Sequence, residues 1–170
     1  MIRAEWQIAE LEERADVDVM LDVLNRRGFE RELGRALAFV KRYGTPAALM
    51  FIDLDGFKTV NDQHGHAAGD ALLKAVAGDL LRHLRGSDVV GRLGGDEFGA
   101  ILWNAQPPQA TAKARSLELT VEQVLLPYNG ATLGCGASAG VVPLDPALSP
   151  VQMIGAADRA MYARKRERRG

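Results

Sequence analysis

The chain has a single cysteine, Cys135, in 170 residues. No disulfide can form within it, and a reducing, cytoplasmic setting is the simple expectation. Long apolar runs are missing too. The longest, AALMFI at 47–52, is far too short to cross a bilayer. The N-terminus carries mixed charge and no apolar stretch, so it is no secretory signal. No membrane segment is therefore expected within this chain, and one on a longer parent chain stays open. Lys and Arg total 21 against 22 Asp and Glu, a formal net charge of −1. That balance lacks the basic excess of a nucleic-acid binder. Internal repeats are absent, and the basic end RKRERR is the one biased segment. What remains, 47% hydrophobic and 25% charged, is the size and balance of one ordinary globular domain.

The pattern along the chain predicts helices and hairpins in alternation. Residues 3–16 are helical in composition, with Ala4, Ile8, Leu11 and Ala15 in a coiled-coil-like stripe. That stripe fits either a solvated helix or the end of a dimeric signalling helix, and it sets residues 1–17 apart from a domain over 18–170. A second helix is predicted from Asn25 to Tyr43, closed by Gly44 and Pro46. AALMFIDLD reads as a buried strand ending in acids, and NDQHGH as a short helical turn or loop. Leu72, Leu73, Val76, Leu80 and Leu84 recur at helical spacing up to Gly86. DVVGRL and FGAILW flank a hairpin, 108–126 reads as helix, and ATLGCGASAGVVPL suggests two strands joined by a tight Gly turn. A last helix is predicted from Pro150 to Lys165. Hairpins mixed with helices imply an α+β domain with a mostly antiparallel central sheet.

Two stretches carry candidate chemistry. In FIDLDGFKTVND (51–62), Asp53 and Asp55 close an apolar strand, and period-two geometry puts both on one face if the strand persists. Gly56 lets the backbone approach a ligand, successive N–H groups there suit a phosphate, and Lys58 adds a point charge. A plain strand followed by an Asx-type turn explains the same residues equally well. In GRLGGDEFGAIL (91–102), the glycines are expected to supply the positive φ of a primed turn. Asp96 and Glu97 exceed what a turn needs. Adjacent carboxylates repel, more so away from water, and a divalent cation such as Mg²⁺ removes that cost. Asp53, Asp96 and Glu97 are therefore candidates to converge on one ion, although a solvated acidic turn explains the hairpin alone.

Taken together, NRRGFEREL (25–33), FIDLDGFKTVNDQHGHAAGD (51–70), RGSDVVGRLGGDEF (85–98), SAGV (138–141) and AADRAMYARK (156–165) resemble the blocks of the GGDEF diguanylate cyclase domains, in that family's order. The resemblance implies a fold like the nucleotide-cyclase core and polymerase palm. It implies condensation of two GTP into cyclic di-GMP with release of two pyrophosphates. By the same resemblance, Asp53, the Leu54 carbonyl, Asp96 and Glu97 hold Mg²⁺, with Mn²⁺ as an alternative. Asp96 also matches the position often assigned as general base. Gly56, Phe57 and Lys58 match the stretch beside the phosphates, and Asn61 and Asp70 match the guanine-recognition pair. Lys165 and Arg169 match basic residues that hold GTP phosphates. Arg85 and Asp88, with five residues between Asp88 and Gly94, match an inhibitory site for the product. One domain binds one GTP, so the resemblance implies a homodimer, with an upstream sensor or receiver domain as its expected controller.

The chain departs from the family pattern in three places. Leu21 and Asp22 stand where the family has Thr and Gly before its Asn-Arg, Arg164 stands where a small residue is usual, and ERRG replaces Gly-Arg-Asn at the end. The rival readings are a catalytically silent cyclic di-GMP receptor using Arg85 and Asp88, and a dimerisation module led by the N-terminal helix.

Overall fold

The structure, a computed structural model, describes residues 2–170. Met1, the first residue of the 1–17 segment, lies outside them. The elements run α1 (Ile2–Ala15), α2 (Arg26–Tyr43), β1 (Ala47–Asp55), α3 (Phe57–His64), α4 (His66–Arg82), β2 (Val89–Gly94), β3 (Glu97–Trp103), α5 (Pro107–Glu122), β4 (Leu126–Tyr128), β5 (Ala131–Leu133), β6 (Gly136–Pro143) and α6 (Pro150–Arg169). The main sheet has the order β2-β3-β1-β6, and every pairing in it is antiparallel. The expected α+β class with an antiparallel sheet is what the chain adopts.

Period-two alternation along β1 organises both layers. Ala48, Met50, Ile52 and Leu54 pack into one core with Leu72, Leu73 and Val76 of α4 and Leu117 and Val121 of α5. Ala47, Leu49 and Phe51 pack into a second core with Phe29 and Leu33 of α2 and Met153, Ile154 and Ala157 of α6. The near-continuous apolar run of β1 follows from burial on both faces. Parity then fixes where the acids go. Asp53 and Asp55 continue the odd-numbered set and so face the α2/α6 layer.

Several expectations need correction. NDQHGH is not an isolated turn. It ends α3, whose Phe57 and Val60 are buried, and Gly65 at φ 90° separates α3 from α4. Helix α5 stops at Glu122, because Leu126–Tyr128 pairs with Ala131–Leu133 as a separate two-stranded hairpin. Its turn is Asn129-Gly130, with φ of 45° and 81°, a type I′ signal that stands openly in the sequence. β5 and β6 are consequently not partners: β6 joins β1 in the main sheet. The last helix runs four residues past Lys165, to Arg169.

Helix α1 has no buried residue, and its Ile8 and Leu11 are exposed. The chain from Asp16 to Asn25 docks onto the domain. Leu24 N–H donates to the Val90 carbonyl, and Arg92 N–H donates to the Leu24 carbonyl. Asn25 caps α2 by accepting from Gly28 N–H, and no side chain fits at Gly28, where a Cβ would stand 2.3 Å from the Asp16 carbonyl oxygen. Among the described residues, no helix is long and apolar enough to cross a membrane.

Candidate functional site

The acidic site forms where three strand ends meet. Asp53 lies opposite Glu97 across the β1–β3 ladder and opposite Ser138 across the β1–β6 ladder. Leu54 N–H donates to the Asp96 carbonyl at 3.1 Å, which holds the hairpin tip against the end of β1. Carboxylate oxygens of Asp53, Asp96 and Glu97 lie within 4.8 Å of one another. This donor set of hard anionic oxygens suits Mg²⁺.

The glycines of the hairpin work differently from the expectation. Neither Gly94 nor Gly95 has positive φ, so this is not a primed turn that demands them. The register instead slips between Arg92 and Gly94, an irregularity of the bulge type. A Cβ on Gly94 would stand 2.7 Å from Glu97 Oε2, so Gly94 makes room for the Glu97 carboxylate. Gly95 is exposed with open space around it.

Electrostatics match the crowding. Asp96 is held above the ordinary carboxylate range, first by burial and then by the charge on Asp53. Glu97 is raised by burial and by the charges on Asp53, Asp96 and Asp158. Lys165, from α6, meets this charge. Its Nζ donates to Asp53 Oδ2 at 2.5 Å and lies 3.5 Å from Asp55 Oδ1, which raises its own pKa. The Ser138 hydroxyl donates to Asp55 Oδ2 at 2.8 Å. Asp53 and Asp55 thus share one face, as the strand period predicted. Burial, then the charges on Asp55 and Asp96, push the Cys135 thiol up to about 12, so it is no thiolate nucleophile at neutral pH.

The loop after β1 has the expected backbone. Gly56 takes φ 78° at the head of α3, Phe57 is buried, and Lys58 is exposed on the first turn. Asn61 on α3 presses against α4: a Cβ on Gly69 would come within 1.8 Å of its Oδ1. Asp70, the residue after Gly69, is exposed on α4 just past its first turn. Arg169 is exposed on the last turn of α6, and its neighbour Arg168 turns onto α5, donating to Glu118.

Arg85 and Asp88 sit at the other end of β3. That strand has seven residues, which separates them from Glu97 by about 20 Å. Asp88 accepts from Trp103 N–H at 3.2 Å and from Arg85 N–H at 3.1 Å, and its side chain is 2% exposed. Asp88 therefore locks the turn. The Arg85 side chain is 63% exposed and donates to the Trp103 carbonyl.

Sequence reasoning missed Arg92. Its guanidinium donates to the carbonyls of Gly94 and Gly95 and reaches Asp18 Oδ2 at 3.5 Å. Asp18 in turn accepts from Met20 and Leu21 N–H, each at 2.9 Å. These donors outweigh its burial and hold its pKa low. The signal available was an Arg two residues before the glycine pair, with no obvious partner nearby in sequence.

The model of the family described as "Diguanylate cyclase, GGDEF domain" matches residues 15–170. The chain belongs to the GGDEF family. This GGDEF chain is 40% identical over 164 residues to the probable diguanylate cyclase DgcE of Escherichia coli K12, covering 96% of this chain and 15% of that protein. It is 35% identical over 170 residues to the diguanylate cyclase TpbB of Pseudomonas aeruginosa, covering 99% and 39%. The chain thus spans well under half the length of these relatives. Among solved structures, the coiled coil and GGDEF domain of DgcB from Caulobacter crescentus, in complex with c-di-GMP, superposes with a TM-score of 0.86 at 27% identity. It covers 97% of this chain and 88% of that one.

Proposed function

We propose that this GGDEF chain is one half-site of a Mg²⁺-dependent diguanylate cyclase. The observation that carries the reading is the convergence of the Asp53, Asp96 and Glu97 oxygens beside a lysine and a glycine-headed helix. In each half-reaction, a ribose 3′-oxygen of one GTP attacks the α-phosphorus of the other. The new P–O bond forms as the bond to pyrophosphate breaks, and the hydroxyl proton passes to solvent water. Two such steps close the ring and release two pyrophosphates. Asp53, Asp96, Glu97 and the Leu54 carbonyl are the groups to hold Mg²⁺. Bound there, the ion supplies charge that lowers the hydroxyl pKa and offsets charge developing on phosphate.

The chain's own residues position the substrate. Backbone N–H groups after Gly56, with Lys58 and Lys165, face the phosphates. Asn61 and Asp70 read guanine: an ionised Asp only accepts hydrogen bonds, and guanine offers N1–H and its amino group together. Adenine presents an unprotonated N1 to the same lone pairs, so it is rejected. Each chain carries one such site, so turnover needs a second copy facing it. Product feedback through Arg85 is supported by the exposure of its guanidinium and by the c-di-GMP held by the related DgcB domain. In this reading Asp88 holds the turn that presents Arg85.

Incubation with GTP and Mg²⁺, with products identified by mass, tests the proposal. Cyclic di-GMP and pyrophosphate are expected, and Glu97→Ala should abolish turnover, a loss of at least about 100-fold. No cyclic di-GMP at high protein concentration, alongside retained binding of added cyclic di-GMP, would instead identify a receptor.

A further inference from the structure

The last two turns of α6 are held without a core. The buried residues of this helix are Met153, Ile154, Ala157 and Met161, and none follows. At Met161 the helix backbone presses on β6, where a Cβ on Gly140 would stand 2.0 Å from Met161 N. From Tyr162 the helix runs on for eight residues, about 12 Å, and Lys165 lies in that stretch. Its long side chain must still be aimed at the end of β1.

What holds this stretch is Glu118 of α5. Its side chain is 2% exposed. Oε1 accepts from Arg164 Nε at 3.0 Å, and Oε2 accepts from Arg164 Nη2 at 2.9 Å and from Arg168 Nη1 at 2.8 Å. Oε1 also accepts from Ala139 N–H at 3.0 Å, and Arg115 donates to the same oxygen. Arg115 further donates to the Ala139 carbonyl at 3.0 Å, so α5 side chains cover the outer edge of β6. Arg164 and Arg168 are four apart and share one helix face. Helices α5 and α6 lie on opposite faces of the sheet, and these side chains join them around its β6 edge. Ala139 pairs with Ile52, the residue before Asp53. The clamp is therefore level with the acidic site. Bidentate Arg–carboxylate geometry fixes orientation as well as distance.

We propose that Glu118 is a positioning residue for the reaction: by clamping Arg164 and Arg168 it fixes the end of α6 so that Lys165 is presented to the GTP phosphates beside Asp53. This rests on the reading of Lys165 as a phosphate-binding group. Arg164, which replaces the family's usual small residue, thereby gains a task specific to this chain.

The test uses the full chain and two ligands: 3′-deoxy-GTP, which lacks the nucleophile, and guanosine, which lacks the phosphates. Calorimetry in Mg²⁺ compares wild type, Glu118→Gln, Arg164→Ala, Lys165→Ala and the Glu118→Gln/Lys165→Ala double variant. Glu118→Gln and Arg164→Ala are expected to weaken 3′-deoxy-GTP binding about tenfold and to leave guanosine binding unchanged, with the kinetic defect in KM for GTP more than in kcat. The double variant should be no worse than Lys165→Ala alone, because both act through one side chain. Equal losses for both ligands, or multiplying effects in the double variant, would make Glu118 merely structural and overturn the proposal. If Lys165→Ala is impaired while both clamp variants bind like wild type, the positioning role alone falls. Wild-type binding by Lys165→Ala removes the phosphate role of Lys165 and the proposal with it. Arg164→Ala keeps the test decisive if Glu118→Gln fails to fold, since it trims a partly exposed side chain.

Discussion

Asp96 and Glu97 show at the residue scale how crowding prepares a site for a cation. Burial, followed by neighbouring negative charge, raises both groups above their ordinary values of 3.8 and 4.5. A carboxyl whose folded pKa is raised binds protons more readily folded than unfolded. The metal-free chain therefore gains stability from these groups as pH falls through the raised values, and a cation competes with those protons. The thermal stabilisation given by Mg²⁺ or Mn²⁺ should thus be largest at neutral pH and shrink as pH falls through the raised values. A shift that grows on acidification would contradict this account of the site. Gly69 offers a second residue-scale prediction. A Cβ there must displace the Asn61 amide, at a cost of about 1–3 kcal/mol if the fold absorbs it. Gly69→Ala should weaken GTP binding and narrow the preference for GTP over ATP, measured by competition. Unchanged discrimination would separate Asn61 from guanine reading.

Elements matter here chiefly through their ends. The hairpin tip is tied to β1 by Leu54 N–H and to the α1–α2 connection by Arg92 and Asp18. Arg92→Ala removes the donors to the Gly94 and Gly95 carbonyls, for a stability loss of about 1–2 kcal/mol. It should lower turnover further than that loss explains, because the carboxylates sit directly after the freed glycines. Chemical denaturation alongside steady-state rates separates the two effects. A variant with reduced stability and a wild-type rate would show that Arg92 serves the fold alone. The same tie links the segment after α1 to the metal-binding turn, and Leu21 and Val23 of that segment are buried. Leu21 therefore fills core space in the stretch where the chain departs from the family pattern.

At the scale of the whole molecule, α1 has no buried residue, Trp6, Ile8 and Leu11 are exposed, and its last carbonyl, that of Ala15, accepts from Asn25 Nδ2 at 2.6 Å. Removing residues 2–15 should change stability by less than about 0.5 kcal/mol. If α1 brings two half-sites together, the truncated chain should need a higher protein concentration for the same rate per chain. Equal specific activity across a dilution series, with and without α1, would remove the helix from the dimer. Glu118 also acts at this scale, because it joins the two helix layers around the β6 edge. Its donors, led by Arg164, outweigh burial and hold its pKa below 4.5. That contribution to stability is complete above the ordinary value and is lost as pH falls through the depressed one.

Local pattern determined much of this protein. The period-two run of β1, the caps of α2 and the helical spacing of α4 are properties of neighbouring residues, and all were legible. So were Asp53, Asp96 and Glu97, because paired carboxylates beside glycines are chemically unusual in a turn. The Asn129-Gly130 hairpin carries an equally local signal, a type I′ turn pair. Other features depended on residues far apart in sequence. Whether β5 pairs with β4 or β6 is a competition between a tight turn and an open place beside β1. The reason for Gly94 is the Glu97 side chain, not backbone conformation. Arg92, Glu118 and Ser138 gain their tasks largely from distant partners, Asp18, Ala139 and Asp55, each 21 or more residues away in sequence. The sequence named the charges by itself. Tertiary packing decided which of them face one another, because strand parity and helix crossing act only once both sheet faces are covered.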